Sequence, residues 1–247
     1  MKEKREVLSH TQAVIMFMIM TIALHILCLK IAGIIKGSDD ISYYINYGSK
    51  ILGVILIAGI ILFASFTPMR CNWSSLRASG KKLISNLLVS AVISIVVIAI
   101  LLGFRLYLNT KSPDNREVPW FGLYLNIHMR WFYPLNVVFQ EFFIKAFVQE
   151  NIGMMVHGFD RHPVANSTEL CRKRSGKEVA IISCITALFF FILHVQYALY
   201  YMTGALLLCL ITGLLYERNR NIWGSVIIHF VLGFLPRCLG ILQILER

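Results

Sequence analysis

The sequence predicts an all-α fold, a polytopic transmembrane helix bundle of about seven spans, and three observations carry that prediction. The chain of 247 residues is 57% hydrophobic and only 15% charged, and its mean hydropathy of +0.67 exceeds what a soluble domain carries. Apolar runs of spanning length recur along it. Lysines and arginines gather in alternate connections, the pattern expected of cytoplasmic loops.

The formal net charge of +11 would point to nucleic acid in a soluble protein. In a membrane protein it marks cytoplasmic loops and anionic lipid, so the expected partner is the lipid bilayer and no nucleic acid. The six cysteines, Cys28, Cys71, Cys171, Cys184, Cys209 and Cys238, are scattered with no Cys-x-x-Cys pair. They form neither a zinc knuckle nor a disulfide framework and read as small packed hydrophobes.

Lys2, Lys4 and Arg5 precede the apolar run from Ala13 to Leu29. No small-residue cleavage site follows, and the run extends through Ile35 to a spanning length of roughly 20 residues, so it is a first span and not a signal peptide. His25 within it is expected to make an interhelical hydrogen bond. A polar loop from Lys36 to Lys50 leads to a second span, Ile51 to about Phe66. Arg70, Arg77, Lys81 and Lys82 make the next loop basic, and Leu83 to Phe104 forms the third span, with Ser85, Ser90 and Ser94 as packing contacts.

From Asn109 to Arg130, Pro113, Pro119 and the aromatic cluster of Trp120, Phe121, Tyr124, Trp131 and Tyr133 predict a segment lying along the membrane surface. Tyr133 to about Met155 is the fourth span, with Pro134 in its first turn. A basic loop with Arg161, Arg172, Lys173, Arg174 and Lys177 precedes the fifth span, Val179 to His194. The sixth runs from about Leu199 to Leu215. A charged turn from Glu217 to Arg220 leads to the seventh, Ile222 to about Leu242, where Pro236 is a kink or an end. With a cytoplasmic amino terminus, the loops around Arg77, Arg172 and Arg218 lie inside as well. Residues 1–132 then hold the N-terminal helices and the interfacial segment, and residues 133–242 the polar core.

That core centres on the fourth span, where Gln140, Glu141 and Lys145 interrupt an aromatic and aliphatic run. An ionised group at membrane depth is costly unless it faces protein or a water-filled cavity, so its default reading is a functional site. At about 100° per residue, Glu141, Lys145 and Gln149 share one edge and Glu141 can pair with Lys145; Gln140 points with Asn136 and Ile144. His194 and His229 lie on two other spans. Two histidines and a carboxylate on separate helices are the material of a metal, proton or catalytic site.

In order, Gln140-Glu141-xxx-Lys145, Phe190-xxx-His194, and Glu217-Arg218 followed after ten residues by His229 make the chain resemble the CPBP family of intramembrane proteases, also called the CAAX-protease, bacteriocin-processing or Abi family. The resemblance covers about Pro134 to Phe234 and implies a CAAX-protease-like core. By position, the paired glutamates of that family fall on Gln140 and Glu141, its arginine on Lys145, its histidines on His194 and His229, and its final asparagine on Gly233. The resemblance implies that the first glutamate and first histidine activate water, while the later histidine and asparagine support the oxyanion or a metal ion. It therefore implies a peptidase acting on membrane-associated peptides or proteins, such as a bacteriocin or a lipidated tail, with His194 and His229 as ligands where a divalent metal such as zinc binds.

Three positions depart from the pattern. Gln140 orients water but takes no proton at ordinary pH, and a general base contributes roughly 10²–10⁴-fold. Gly233 lacks the donor whose deletion in other enzymes costs about 10²–10³-fold. Lys145 keeps the charge but loses the guanidinium fork. Glu141 replaces the missing base only where the helix rotates or bulges; its pairing with Lys145 assigns it a structural role. Ser225, one turn before His229, supplies a polar contact or packs. The rival readings are a catalytically impaired relative that serves as scaffold or regulator of a membrane partner such as a sensor kinase, and a proton-coupled transporter, for which no inverted repeat is seen. The sequence leaves substrate and oligomeric state open.

Overall fold

The computed structural model describes residues 9–34, 55, 58–59, 62, 66–77, 80–120, 133–157 and 174–245. Among them no strand occurs, and the fold is all-α. Helix α1 is His10–Ile34, a 3₁₀ turn is Trp73–Leu76, α2 is Gly80–Lys111 and α3 is Asp114–Glu117. Helix α4, Tyr133–Glu141, continues through a π-helical stretch, Phe142–Gln149, into α5, Glu150–Val156. Then come α6 (Gly176–Ile192), α7 (Leu199–Asn219), α8 (Trp223–Cys238) and the short α9 (Ile241–Leu245).

Three of these runs are long and apolar enough to cross a bilayer by themselves: His10–Leu29, Leu83–Lys111 and Leu199–Asn219. Each falls on an expected span. The second expected span, Ile51 to Phe66, lies almost wholly outside the described residues, as do Phe121, Tyr124 and Trp131 of the expected interfacial segment and Arg161, Arg172 and Lys173 of the basic loop.

The chain divides into two compact units, one of Met1–Asn72 with Phe147–Leu210, the other of Trp73–Ala146 with Ile211–Arg247. In the first, Phe17 of α1 meets Phe147 edge-on at 5.0 Å. Polar ties surround that contact. His10 Nε2 donates to Asn151 Oδ1 at 3.0 Å, and the Asn151 amide exchanges bonds with the backbone of Arg70, at 3.0 and 2.8 Å. Glu150 accepts from Asn72 Nδ2 at 3.0 Å and from Arg174 Nη2 at 3.1 Å. The guanidinium lies where a β-carbon on Gly153 would stand, so the missing side chain there makes room for the ion pair. Both partners of a buried charge are thus present, which is the condition for tolerating it.

Three smaller features belong to this unit. Ser175 and Glu178 form a reciprocal capping box at the start of α6, and Glu178 also meets His157 Nδ1 at 2.7 Å. The His157 hydrogen bond, then those from Ser175, hold the Glu178 carboxyl down at about 2. Burial, and secondarily the Glu150 carboxylate, pushes the Cys71 thiol up to about 12, which leaves it a protonated packing group. His25, expected to bond another helix, bonds Gln196 Oε1 at 3.0 Å, in the turn between α6 and α7.

In the second unit α2 packs along α8, and α4 packs on α8 as well. Asn86 of α2 holds the turn before α8: its amide donates to Asn221 Oδ1 at 3.1 Å and accepts from Asn219 Nδ2 at 3.1 Å. Gly224 lets the two helices close, since a β-carbon there would stand 2.5 Å from Asn86 Oδ1. Ile222 N and Trp223 Nε1 donate to carbonyls of the 3₁₀ turn, Ser75 and Leu76. Beyond α8, Gly240 at φ +67° reverses the chain, and α9 returns Ile241 and Ile244 to a core of Leu108, Val118 and Leu239. Pro236 falls in the last turn of α8, where the helix ends.

Candidate active site

Glu141 is the last residue of α4 before the winding changes to π. A π turn closes i→i+5 bonds in place of i→i+4 bonds, so the backbone from Phe142 to Gln149 departs from the α-helical winding expected of the span. Single-turn π-bulges inside α-helices are frequent at functional sites. Glu141 Oε1 instead lies 2.7 Å from His229 Nδ1 on α8, with Glu141 3% and His229 6% exposed. This corrects the expected pairing: the carboxylate is bonded to a histidine on another helix and not to Lys145. Lys145 is fully buried.

The pair has a definite electrical sense. An ionised carboxylate only accepts, so against it His229 Nδ1 is the donor. Glu141 Oε2 is buried with no hydrogen-bond partner, a second acceptor at the same spot.

The other candidates are placed as follows. Gln140 is half-buried beside Glu141. Ser225 is fully buried and donates from Oγ to Thr212 O at 3.2 Å, so it packs and does not reach the histidine as a donor. Gly233 lies one turn beyond His229 on α8. Tyr133, which the sequence assigned to an interfacial belt, packs its ring near Phe230 and Phe234, centroids 6.0 and 6.5 Å away. His194 belongs to the first unit, just past the end of α6, and is half-buried. Its Nδ1 donates to Phe190 O at 2.8 Å and its ring meets that of Phe190 edge-on at 4.4 Å.

Residues 120–235 match the family model described as type II CAAX prenyl endopeptidase Rce1-like. Over these residues the chain is similar to that family. The match spans Gln140, Glu141, Lys145, Phe190, His194, Ser225, His229 and Gly233, and it bears out the resemblance to the CAAX-protease family. No curated protein and no solved structure matches the chain.

A zinc that performs hydrolysis takes three protein ligands and keeps one open position. Among the described residues no group of three or more His, Cys, Asp or Glu side chains stands together to hold a metal ion. Within the second unit, Glu141 and His229 together supply one carboxylate and one imidazole.

Proposed function

We propose that this membrane protein is a peptidase of the CAAX-protease type in which Glu141 and His229 activate water against a peptide bond of a membrane-associated peptide or protein. The single observation that supports it most is the buried 2.7 Å contact between Glu141 Oε1 and His229 Nδ1. With Nδ1–H held by the carboxylate, His229 Nε2 takes a proton from water as the water oxygen adds to the carbonyl carbon. The carbonyl oxygen becomes an oxyanion. Collapse of that intermediate breaks the carbon–nitrogen bond, and the proton on Nε2 passes to the leaving amine, so the site returns to its starting state. Glu141 keeps the imidazole in one tautomer and stabilises the imidazolium between the two transfers, as a carboxylate does behind a catalytic histidine.

Substrates of the class named by the family likeness, a prenylated tail ending in Cys-aliphatic-aliphatic-X, are the first to try; bacteriocin precursors and self-immunity are the second. The protein sits as a multi-pass cell-membrane protein with its amino terminus in the cytoplasm, a reading supported by the alternate basic loops. The test is cleavage of an internally quenched prenylated peptide by the protein reconstituted in vesicles. Glu141→Gln and His229→Ala should each lose cleavage while Gln140→Ala keeps it; cleavage that survives His229→Ala removes the proposal.

Gln140 favours a second reading, since an amide stands at the position where family members carry their base. In that reading the bundle is a scaffold for a membrane partner such as a sensor kinase, and the wild-type protein and His229→Ala release no peptide alike.

A further inference from the structure

Gly233 leaves a notch in α8 one turn past His229, and the notch is filled. A β-carbon on residue 233 would stand almost on the Tyr133 hydroxyl oxygen, with Tyr133 Cζ 3.0 Å and His229 Cδ2 3.7 Å from it. Cδ2 is bonded to Nε2. The phenol therefore lies toward the edge of the imidazole opposite the one held by Glu141. Its ring is fixed between helices: Tyr133 begins α4, and Phe230 and Phe234 of α8 flank it at 6.0 and 6.5 Å. A hydroxyl at the end of a rigid, two-torsion side chain has thus been carried from one helix into the side-chain space of another.

We infer that the Tyr133 hydroxyl is a hydrogen-bond donor of the Glu141–His229 site and holds the carbonyl oxygen under attack. This rests on the peptidase reading above. The chemistry follows from the positions: water is activated at Nε2, the substrate carbon must lie beside that water, and the oxygen that gains charge then lies within reach of groups bordering the same edge of the ring. A phenol donates one O–H and carries no charge of its own, so it stabilises an oxyanion without competing for the proton on His229. The backbone at 233 adds to the argument. Any side chain there would push the phenol away, so glycine at 233 and tyrosine at 133 form one arrangement in which the donor comes from α4 and not from α8.

The experiment uses the full chain in vesicles with the quenched prenylated peptide as probe. Tyr133→Phe should lower kcat about 10²–10³-fold, the range for loss of one oxyanion donor, while KM and the thermal unfolding temperature stay near wild type. Tyr133→Phe combined with Gly233→Asn should recover part of kcat, because removal of the hydroxyl opens the notch for a donor on α8. A wild-type kcat in Tyr133→Phe, with His229→Ala still inactive, overturns this inference and leaves the peptidase reading standing. No His229-dependent cleavage in the wild type overturns both. A readout independent of turnover checks the placement: Gly233→Ala should destabilise the wild-type protein more than it destabilises Tyr133→Phe, and an equal penalty in the two backgrounds overturns the assignment of the notch to the hydroxyl.

Discussion

Glu141 and His229, 88 residues apart, meet through a 2.7 Å contact between Oε1 and Nδ1 with both side chains buried. The contact joins α4 to α8 at the point where α4 gives way to π winding. It makes Glu141, and not the neighbouring Gln140, the hydrogen-bond partner of His229 Nδ1.

Activity should follow that assignment. Glu141→Gln should lower kcat by ~10²–10⁴-fold, the usual yield of positioned acid–base catalysis, whereas Gln140→Ala should leave the rate near wild type. Measured kcat for the two variants on the same peptide decides between positions 140 and 141; the opposite ranking would remove Glu141 from its role behind His229.

Stability should carry the same signature. A double-mutant cycle of Glu141→Gln with His229→Ala should show a coupling of about 1–3 kcal/mol, as for other groups in one hydrogen-bonded network. The cycle of Glu141→Gln with Lys145→Met should give the smaller coupling. Chemical unfolding in detergent measures both, and a larger coupling to Lys145 would refute the observed partner choice.

Gly153→Ala should destabilise the first unit by about 1–3 kcal/mol, because the added methyl occupies the place of the Arg174 guanidinium and forces it off Glu150. Arg174→Gln should cost a similar amount, and the two changes together should cost less than their sum. Strict additivity in thermal or chemical unfolding would mean that the two residues do not share one arrangement.

Acid should weaken the start of α6. The folded carboxyl of Glu178 is held at about 2 against an ordinary 4.5, so its stabilisation is complete above the ordinary value and is lost as pH falls from there through about 2. Glu178→Gln should flatten the unfolding temperature across that window relative to wild type. An unchanged slope between the two proteins would show that His157 and Ser175 do not act through this group.

Reporter fusions placed after Arg174 and after Arg247 should report opposite sides of the membrane, cytoplasmic for the first and external for the second. The same side for both would break the seven-span arrangement.

The sequence by itself determined the class of the protein and the position of its helices, because hydropathy and run length are local properties of the chain. The runs beginning at His10, Leu83 and Leu199 are apolar enough to be read without any neighbour. The motif residues Glu141, His194 and His229 were legible for the same reason, as polar groups inside apolar runs. What the sequence could not hold was the partner of each. Helical spacing puts Lys145 and Glu141 on one edge, and only the folded chain reveals that the carboxylate bonds His229 on α8, a residue no local spacing links to it. Glycine at 233 read as a lost donor, because no spacing in the chain links it to Tyr133, 100 residues earlier by their numbers. The hydroxyl fills that notch through the packing of α4 on α8, and packing between distant segments is decided in three dimensions by shape and by the satisfaction of buried polar groups.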